Sequence, residues 1–288
     1  MFVLQTSRHA LALSPYDAAA RASAATVIEQ YSTSFGWATR LLHEPVRTHV
    51  RSIYALVRVA DELVDDAAQP WTQQRRAELL DDLHSETHEA LSGGGSANLV
   101  VHAFALTARE HGIGPDLIDP FFDSMRADLQ VRVHDEESLS AYVYGSAEVV
   151  GLMCLRVFVN GSQQHYDRLE PGARRLGAAF QKVNFLRDLH ADHSLLGRTY
   201  FPGIDLSTFT DLERDLLLDD IDADLSAAAA AIAELPPSSR RAVNAAHALF
   251  AELSARLRQT PAEHIARDRV RVPDLVKARI VARAVMTR

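Results

Sequence analysis

The sequence predicts an all-α protein that forms one helical domain over residues 1–288. Alanine and leucine, which are strong helix formers, are abundant, and strictly alternating β-branched runs are hard to find. The 13 glycines and 11 prolines fall mostly between segments of helical periodicity. With 47% hydrophobic and 24% charged residues, the composition is that of a globular domain with a sizeable core. No internal repeat or shift in composition marks a domain boundary.

Glycine and proline positions divide the chain into its predicted helices. Pro45 ends the first helix, Pro70 separates the second from the third, and the pair at 236–237 separates two later helices. The glycine-rich stretch 93–96 and the segment 197–203 are predicted as loops. The predicted helices cover residues 16–42, 46–66, 72–92, 97–111, 115–132, 138–160, 171–192, 211–234, 238–258 and 273–287.

Charge and cysteine content exclude several classes of protein. With 38 acidic against 30 basic residues, the formal net charge of -8 argues against a nucleic-acid partner, although a local basic pocket can still bind phosphate. The one cysteine, Cys154, rules out an internal disulfide and a cysteine-rich metal cluster, which is typical of the reducing cytosol. The first residues lack a signal-peptide pattern, and no run of about 18 apolar residues occurs, so we expect no membrane-spanning helix.

A polar stripe runs along the predicted helix 46–66. One helix face carries, at spacings of four, three and four residues, Tyr54, Arg58, Asp61 and Asp65. The neighbouring positions are largely apolar, which predicts that most of this helix is buried. Because an unpaired buried carboxylate is costly, the stripe must face water, a cation or a counter-charge.

A second stripe follows the same pattern on the predicted helix 171–192. Spacings of three, four and four residues place on one face Gln181, Asn184, Asp188 and Asp192. This face also lies among apolar residues, which include Phe180, Val183 and Phe185. Two such stripes on apolar helices favour a functional site over the alternative, in which each aspartate pair is a solvated helix face.

Oxygen ligands of this kind indicate a hard cation. Mg²⁺ prefers carboxylate and amide oxygens, keeps several waters and usually shares its shell with substrate phosphate. The stripes hold too few ligands for a closed cage, so a phosphate would complete the shell and nearby arginines would grip it, namely Arg58, Arg187 and Arg198. The spacing excludes an EF-hand.

Six segments, in chain order, resemble the squalene/phytoene synthase family. Residues 54–65 resemble its first aspartate-rich motif and residues 181–192 its second. The other similar segments are the N-terminal substrate motif at 32–35, the central helix at 142–151, the segment at 197–202 and the C-terminal segment at 269–273. Together they cover nearly the whole chain and are most similar to bacterial phytoene synthases.

The resemblance implies an isoprenoid synthase fold with a central cavity, and a prenyltransferase. It implies head-to-head condensation of two geranylgeranyl diphosphates to phytoene through a cyclopropylcarbinyl diphosphate, the first step of carotenoid biosynthesis. Mg²⁺ would be the cofactor, with Mn²⁺ as an alternative. We expect a cytoplasmic enzyme loosely associated with the inner membrane face, because the products are oily hydrocarbons.

The resemblance also implies roles for individual residues. The implied metal ligands are Asp61, Asp65, Asn184, Asp188 and Asp192. Diphosphate would be held by Arg58, Arg198 and Arg269, and hydrogen-bonded by Ser32, Ser34 and Gln181. Tyr54 and Tyr200 would line the site, and the expected apolar or aromatic cavity wall includes Phe35, Tyr54, Phe180 and Phe185.

Other functions stay open at this stage. A squalene or dehydrosqualene synthase would use two farnesyl diphosphates, with NADPH in the squalene case. A prenyltransferase or cyclase could ionise one diphosphate and make another product. A non-catalytic relative could bind prenyl lipids or assist assembly, but it would be expected to lose motif aspartates, and all four are present here.

Two further clusters are predicted to lie in solvent. His84 and His88 are four residues apart on a polar helix with Glu86 and Glu89, which favours exposure over metal binding. A dense acidic group at 219–224 is expected to cap or solvate a helix.

Overall fold

The all-α prediction is confirmed by a computed structural model, which describes residues 13–31, 34–66 and 68–286. Within these ranges there is no strand, only an isolated parallel bridge between Val133 and Thr199. The helices are α1 Pro15–Tyr31, α2 Ser34–Thr39, α3 Val46–Asp65, α4 Gln73–Glu89, α5 Leu99–His111, α6 Pro115–Gln130, α7 Glu136–Val143, α8 Val149–Phe158, α9 Gln163–Ala191, α10 Asp211–Glu234, α11 Pro237–Gln259, α12 Ala262–Ile265 and α13 Asp274–Met286. Single π-helical turns follow α4, α7 and α9, at Ala90–Gly94, Tyr144–Glu148 and Asp192–Leu196.

Most predicted helices agree with the structure within a few residues, but two differ. The predicted helix 16–42 is wrong as one element, since α1 ends at Tyr31 and the separate α2 ends at Thr39. The predicted start at residue 171 is also wrong, because α9 begins at Gln163, where the Ser162 side chain accepts a hydrogen bond from the backbone N–H of His165. Pro171 therefore lies inside α9, and Leu169, two residues before it in the same helix, is buried.

Close contact between α8 and α9 sets the centre of the bundle. A Cβ on Gly177 would lie 2.8 Å from the Ala147 carbonyl oxygen, and one on Gly151 would lie 3.2 Å from that of Ala173. Since 177 faces 147 and 173 faces 151, the two helices run antiparallel. The main core cluster joins α3 to α6 and α8, and a second one joins α9 to α10 and α11. Of these helices, α3, α8, α9, α10 and α11 also line the cavity described below.

The continuous helical segment Glu136–Phe158 is the one described segment that meets the length and hydropathy of a membrane span. Its apolar residues pack inside the bundle, since Val149, Leu152, Met153 and Leu155 are at most 2% exposed. The apolar composition of this segment is therefore explained by its place in the core, where α8 packs inside the bundle.

Gly145 sits where α6 meets the π-helical turn after α7, and it allows an unusually close approach. A Cβ there would lie 2.1 Å from the Pro120 carbonyl oxygen and 2.2 Å from Ser124 Oγ. Because backbone atoms cannot move away cheaply, we expect Gly145→Ala to lower the free energy of unfolding by about 1–3 kcal/mol. Urea unfolding measures this, with the exposed Ser140→Ala as a control that changes it by less than about 0.5 kcal/mol. Equal midpoints for the two variants would contradict this close contact.

Candidate active site

The two predicted stripes lie together at one end of the domain. Tyr54 of α3 lines the same cavity as Gln181 and Asn184 of α9. The two stripes also interact electrostatically. The pKa of Asp192 is raised to about 7, first by burial, then by the negative charge of Asp188 and then by that of Asp65 on the other stripe. Asp65 belongs to α3 and Asp192 to the π-helical turn after α9, so the acidic ends of the stripes face each other.

An apolar cavity of about 320 Å³ extends from the stripes into the bundle. On α9 its lining runs from Asn184 back to Leu169, which is about 22 Å at 1.5 Å per residue. The deep end is bounded by Leu169, Phe158 and Leu235, and the mouth by the polar residues Gln181 and Asn184. A long apolar molecule with a charged head therefore matches the shape and polarity of the space.

The negative charges of the aspartates at the cavity mouth are not fully neutralised by neighbouring cations. Burial, followed by the neighbouring charge of Asp65, raises the pKa of Asp61 to about 6, against an ordinary value of 3.8. Asp65 Oδ1 is buried and accepts no hydrogen bond with acceptable angles, although Arg198 Nη1 lies 2.7 Å away. Crowded carboxylates with raised pKa values fit a divalent cation, and Asn184 lies one helical turn from Asp188 on the same face of α9.

Arg198 joins the site to α6. Its side chain is 4% exposed, and Nη1 lies 2.7 Å from Asp65 Oδ1 and 3.2 Å from Asp128 Oδ1. Nη2 donates to the Asp128 carbonyl oxygen at 2.9 Å. The chain reaches this position because Gly197 adopts a left-handed φ of 66° after the π-helical turn, and the backbone N–H of Arg198 donates to the Asp192 carbonyl at 3.0 Å.

Asp128 is a site residue that the sequence analysis missed. It is 4% exposed on α6, and Tyr142 Oη lies 2.9 Å from each of its carboxylate oxygens. Burial raises the pKa of Asp128 to about 7, while the Arg198 charge lowers it. Tyr200 Oη, 3.3 Å from Arg198 Nη1, also belongs to this network. Asp128 is one of four aspartates of α6, and nothing in the local sequence separates it from the other three.

Three further arginines lie against the stripe carboxylates. Arg58 Nη1 donates to Asp61 Oδ2 at 2.7 Å, and Arg58 also pairs with Glu62. Arg269 Nε lies 2.6 Å from Asp188 Oδ1. Arg187, beside Asp188 in sequence, donates to the same carboxylate. Each of these arginine side chains could leave its carboxylate and bind an incoming anion without moving across the site.

Some predicted residues lie elsewhere or outside the described part. Ser32 lies outside the described residues, as do the side chains of Ser34 and Phe35, whose backbone belongs to α2. Tyr54 and Phe180 line the cavity as predicted. Phe185 does not, because it is 3% exposed and stacks on Tyr200 with ring centroids 3.9 Å apart.

The acidic group at 219–224 joins helices rather than only facing solvent. Asp224 is 1% exposed on α10, and its carboxylate lies 2.7 Å from Arg175 Nη1 and 2.9 Å from Lys182 Nζ. Asp222 accepts from Arg258 of α11 at 2.9 Å. The prediction of a solvated cluster is therefore wrong for Asp224, which ties α10 to α9 behind the cavity.

Comparisons with known proteins agree with this geometry. A family model described as squalene/phytoene synthase matches residues 28–275. A bifunctional lycopene cyclase/phytoene synthase of Blakeslea trispora is 31% identical over 193 residues, which cover 61% of this chain and 31% of that protein, so the chain spans about a third of that relative. A 15-cis-phytoene synthase of Paracoccus sp. is 29% identical over 256 residues, covering 81% of this chain and 80% of that protein. A dehydrosqualene synthase crystallised with a ligand superposes with a TM-score of 0.77 at 18% identity, over 93% of this chain and 96% of that one, which shows the shared fold.

Removing Arg198 should destabilise the protein strongly. Arg198→Met would leave the carboxylate of Asp128 buried without its cation, so we expect the free energy of unfolding to fall by about 3–5 kcal/mol at pH 8. Arg168→Met is the matched control, because the Arg168–Glu234 pair is half-exposed and worth less than about 1 kcal/mol. Denaturant unfolding checks both variants, and similar small losses would show that Arg198 does not support Asp128.

Proposed function

We propose that this chain, which belongs to the squalene/phytoene synthase family, condenses two geranylgeranyl diphosphates head to head to give phytoene. As a member of that family it is a prenyltransferase with the isoprenoid synthase fold. The observation that carries the proposal is the pairing of two facing acidic stripes with a long apolar cavity that begins between them. Such a site can separate a charged diphosphate from an oily chain.

The stripes would bind and ionise the diphosphate. When bound by Asp61, Asp65, Asn184, Asp188 and Asp192, Mg²⁺ would neutralise charge on the departing diphosphate, and Mn²⁺ suits the same oxygens. Arg58 and Arg269 would turn from their carboxylates to the diphosphate, while Arg198 would hold the end of α3 against α6 and face the anion from below. Gln181 would donate to a diphosphate oxygen, as would Ser32 and Ser34 on the sequence resemblance.

The cavity would control the fate of the cation that ionisation leaves. Its walls are largely apolar, with Tyr54 and Phe180 near the mouth, so water is excluded and aromatic faces lie near the positive charge. The double bond of the second substrate would capture the allylic cation, and loss of one proton from the resulting tertiary cation would close the ring to give a cyclopropylcarbinyl diphosphate. A second ionisation, rearrangement and loss of one proton would give phytoene without a reductant, as the first step of carotenoid biosynthesis.

Cavity length supports the longer substrate. At about 1.2 Å per bond, an extended C20 prenyl chain measures about 18 Å and a C15 chain about 13 Å. The lining from Asn184 to Leu169 spans about 22 Å, which is long enough for the C20 chain. The relatives named as phytoene synthases favour the same choice.

The second candidate function is a squalene or dehydrosqualene synthase that uses two farnesyl diphosphates. A dehydrosqualene synthase has the same fold, so the fold is compatible with either substrate. A purely lipid-binding role is disfavoured because Asp61, Asp65, Asp188 and Asp192 are all present and converge.

Loose association with the inner membrane face is part of the proposal. The product is an oily hydrocarbon that has to leave through an apolar phase. Exposed leucines on two helices would suit a membrane surface, with Leu212 and Leu216 of α10 at 71% and 61% and Leu275 of α13 at 86%.

The acidic stripes should be essential for turnover but not for folding. We expect Asp61→Asn or Asp188→Asn to lower product formation by about 100-fold or more, because each removes a charge that would bind the cation. Radiolabelled geranylgeranyl diphosphate with Mg²⁺ measures turnover, and circular dichroism checks that helix content is unchanged. Asp123→Asn, on the exposed face of α6, is the control. Near-normal product from both stripe variants would overturn the metal-site assignment.

Filling the middle of the cavity should select against the longer substrate. Cys154 lines the cavity about 12 Å along α8 from Ser146, which lies near the mouth. We expect Cys154→Phe to lower turnover of geranylgeranyl diphosphate by about tenfold or more while farnesyl diphosphate is still accepted, and Cys154→Ala to change neither. Hydrocarbon analysis after incubation with each diphosphate gives the answer. A wild-type enzyme that makes only a C30 product from the C15 substrate would overturn the C20 assignment and leave the family chemistry intact.

A further inference from the structure

Two histidines that the sequence placed in solvent meet a carboxylate from another helix. His84 and His88 lie four residues apart on α4, and Asp119 lies on α6. The side chain of His84 is 17% exposed and that of His88 is 35% exposed. The prediction of a solvated pair is therefore wrong, because α6 packs across α4 at this point.

The three side chains present one ligand atom each to a common point. His84 Nε2 lies 2.9 Å from Asp119 Oδ1, His88 Nε2 lies 2.7 Å from the same oxygen, and the two Nε2 atoms are 3.0 Å apart. In a tetrahedral zinc site with bonds of about 2.0–2.1 Å, ligand atoms lie about 3.3 Å apart. An ion roughly 1 Å above the plane of these three atoms would therefore be within bonding distance of all of them. A small increase in the three distances between the ligand atoms would bring them to the spacing of a tetrahedral site.

The ring of His84 is held in place by its neighbours. It stacks on Phe122 of α6 with centroids 4.3 Å apart and an interplanar angle of 23°. Phe122 is fully buried, so the imidazole ring of His84 that stacks on it has little freedom to rotate. A ligand atom fixed before binding loses less entropy when a metal binds.

In the absence of metal, Arg126 determines which ring nitrogen of His84 carries the proton. Arg126 Nη2 lies 2.9 Å from His84 Nδ1, and a guanidinium only donates, so Nδ1 accepts and the proton resides on Nε2. Binding of a cation at Nε2 moves that proton to Nδ1. Arg126 can then turn away and keep its bonds to Asp81 Oδ1, at 2.8 Å, and Asp123 Oδ1, at 3.0 Å.

The local charge favours a divalent cation. The Arg126 guanidinium pairs with two carboxylates, those of Asp81 and Asp123, and Asp119 adds a third negative charge against the two histidines. The carboxylate of Asp119 is 48% exposed, so the cluster opens to solvent on one side and a water can take a fourth position.

We propose that His84, His88 and Asp119 form a transition-metal site of the kind that binds Zn²⁺ and that braces α4 against α6. Two imidazoles and one carboxylate suit Zn²⁺ better than Mg²⁺, which prefers oxygen ligands. The site is separate from the acidic stripes and does not depend on the proposed function.

Cobalt binding by the full chain tests the proposal. The protein is prepared without a histidine tag, stripped with a chelator and titrated with Co²⁺ in excess Mg²⁺, so that oxygen sites are already occupied. We expect a visible ligand-field spectrum at one equivalent, competed away by Zn²⁺. His88→Gln should weaken Co²⁺ binding by about 100-fold and Asp119→Asn by about tenfold. His165→Gln, exposed on α9, is the control and should bind as the wild type does.

A variant that should strengthen binding distinguishes this site from adventitious histidine binding. Arg126→Gln removes the competing donor and supplies an amide oxygen that can accept from Nδ1–H, so we expect about tenfold tighter Co²⁺ binding. Zn²⁺ should also raise the melting temperature of the wild type and leave that of His88→Gln unchanged. Unaltered Co²⁺ affinity in both His88→Gln and Asp119→Asn would overturn the proposal. Loss of the spectrum on His111→Gln instead would place the metal beside His49 and would overturn it as well.

Discussion

The buried ion pair between Arg198 and two carboxylates is the constraint on which the site depends. Asp65 is the last residue of α3 and Asp128 lies in the last turn of α6, so a single guanidinium joins the ends of two helices that are not adjacent in sequence. Without that charge, burial would disfavour the ionised form of Asp128 still further. The same cation lies against Asp65, close to Asp61 and Asp192, whose pKa values are raised. The cluster of carboxylates still lacks positive charge, which favours the binding of a cation.

The division between a charged mouth and an apolar interior follows from the direction of three helices. α3 and α9 both carry their acidic residues towards their C-terminal ends, while α8 runs antiparallel to α9 and places Phe158 at the deep end. Glycines on α8 and α9 bring these two helices so close that little but backbone and small side chains separates them. The apolar cavity lies beside this contact and is closed by α3, α10 and α11.

The sequence predicted the stripes because their spacing is local, whereas contacts between helices were beyond it. Tyr54 and Asn184 both line the cavity, as helix periodicity placed them on the two stripes, and Asp65 lies near Asp192. Asp128 was missed because its importance comes from Arg198, 70 residues away in the chain. The start of α9 was missed because a proline in a local pattern indicates a helix start, whereas in the packed structure the helix continues through Pro171 and buries Leu169. His84 was assigned to solvent for the same reason, since Asp119 belongs to another helix.

The position of Phe250 shows how the wall near the mouth is completed. Phe250 of α11 stacks on Phe180 of α9, with ring centroids 3.8 Å apart and an interplanar angle of 18°. Phe180 lines the cavity next to Gln181, so the stacked pair lies directly behind the last polar residues of the mouth. A tyrosine in place of Phe250 would bring a hydroxyl that needs a partner in this apolar layer. The phenylalanine instead supports an unbroken apolar wall up to the point where the diphosphate would depart, and a carbocation formed there would meet aromatic faces before it meets water.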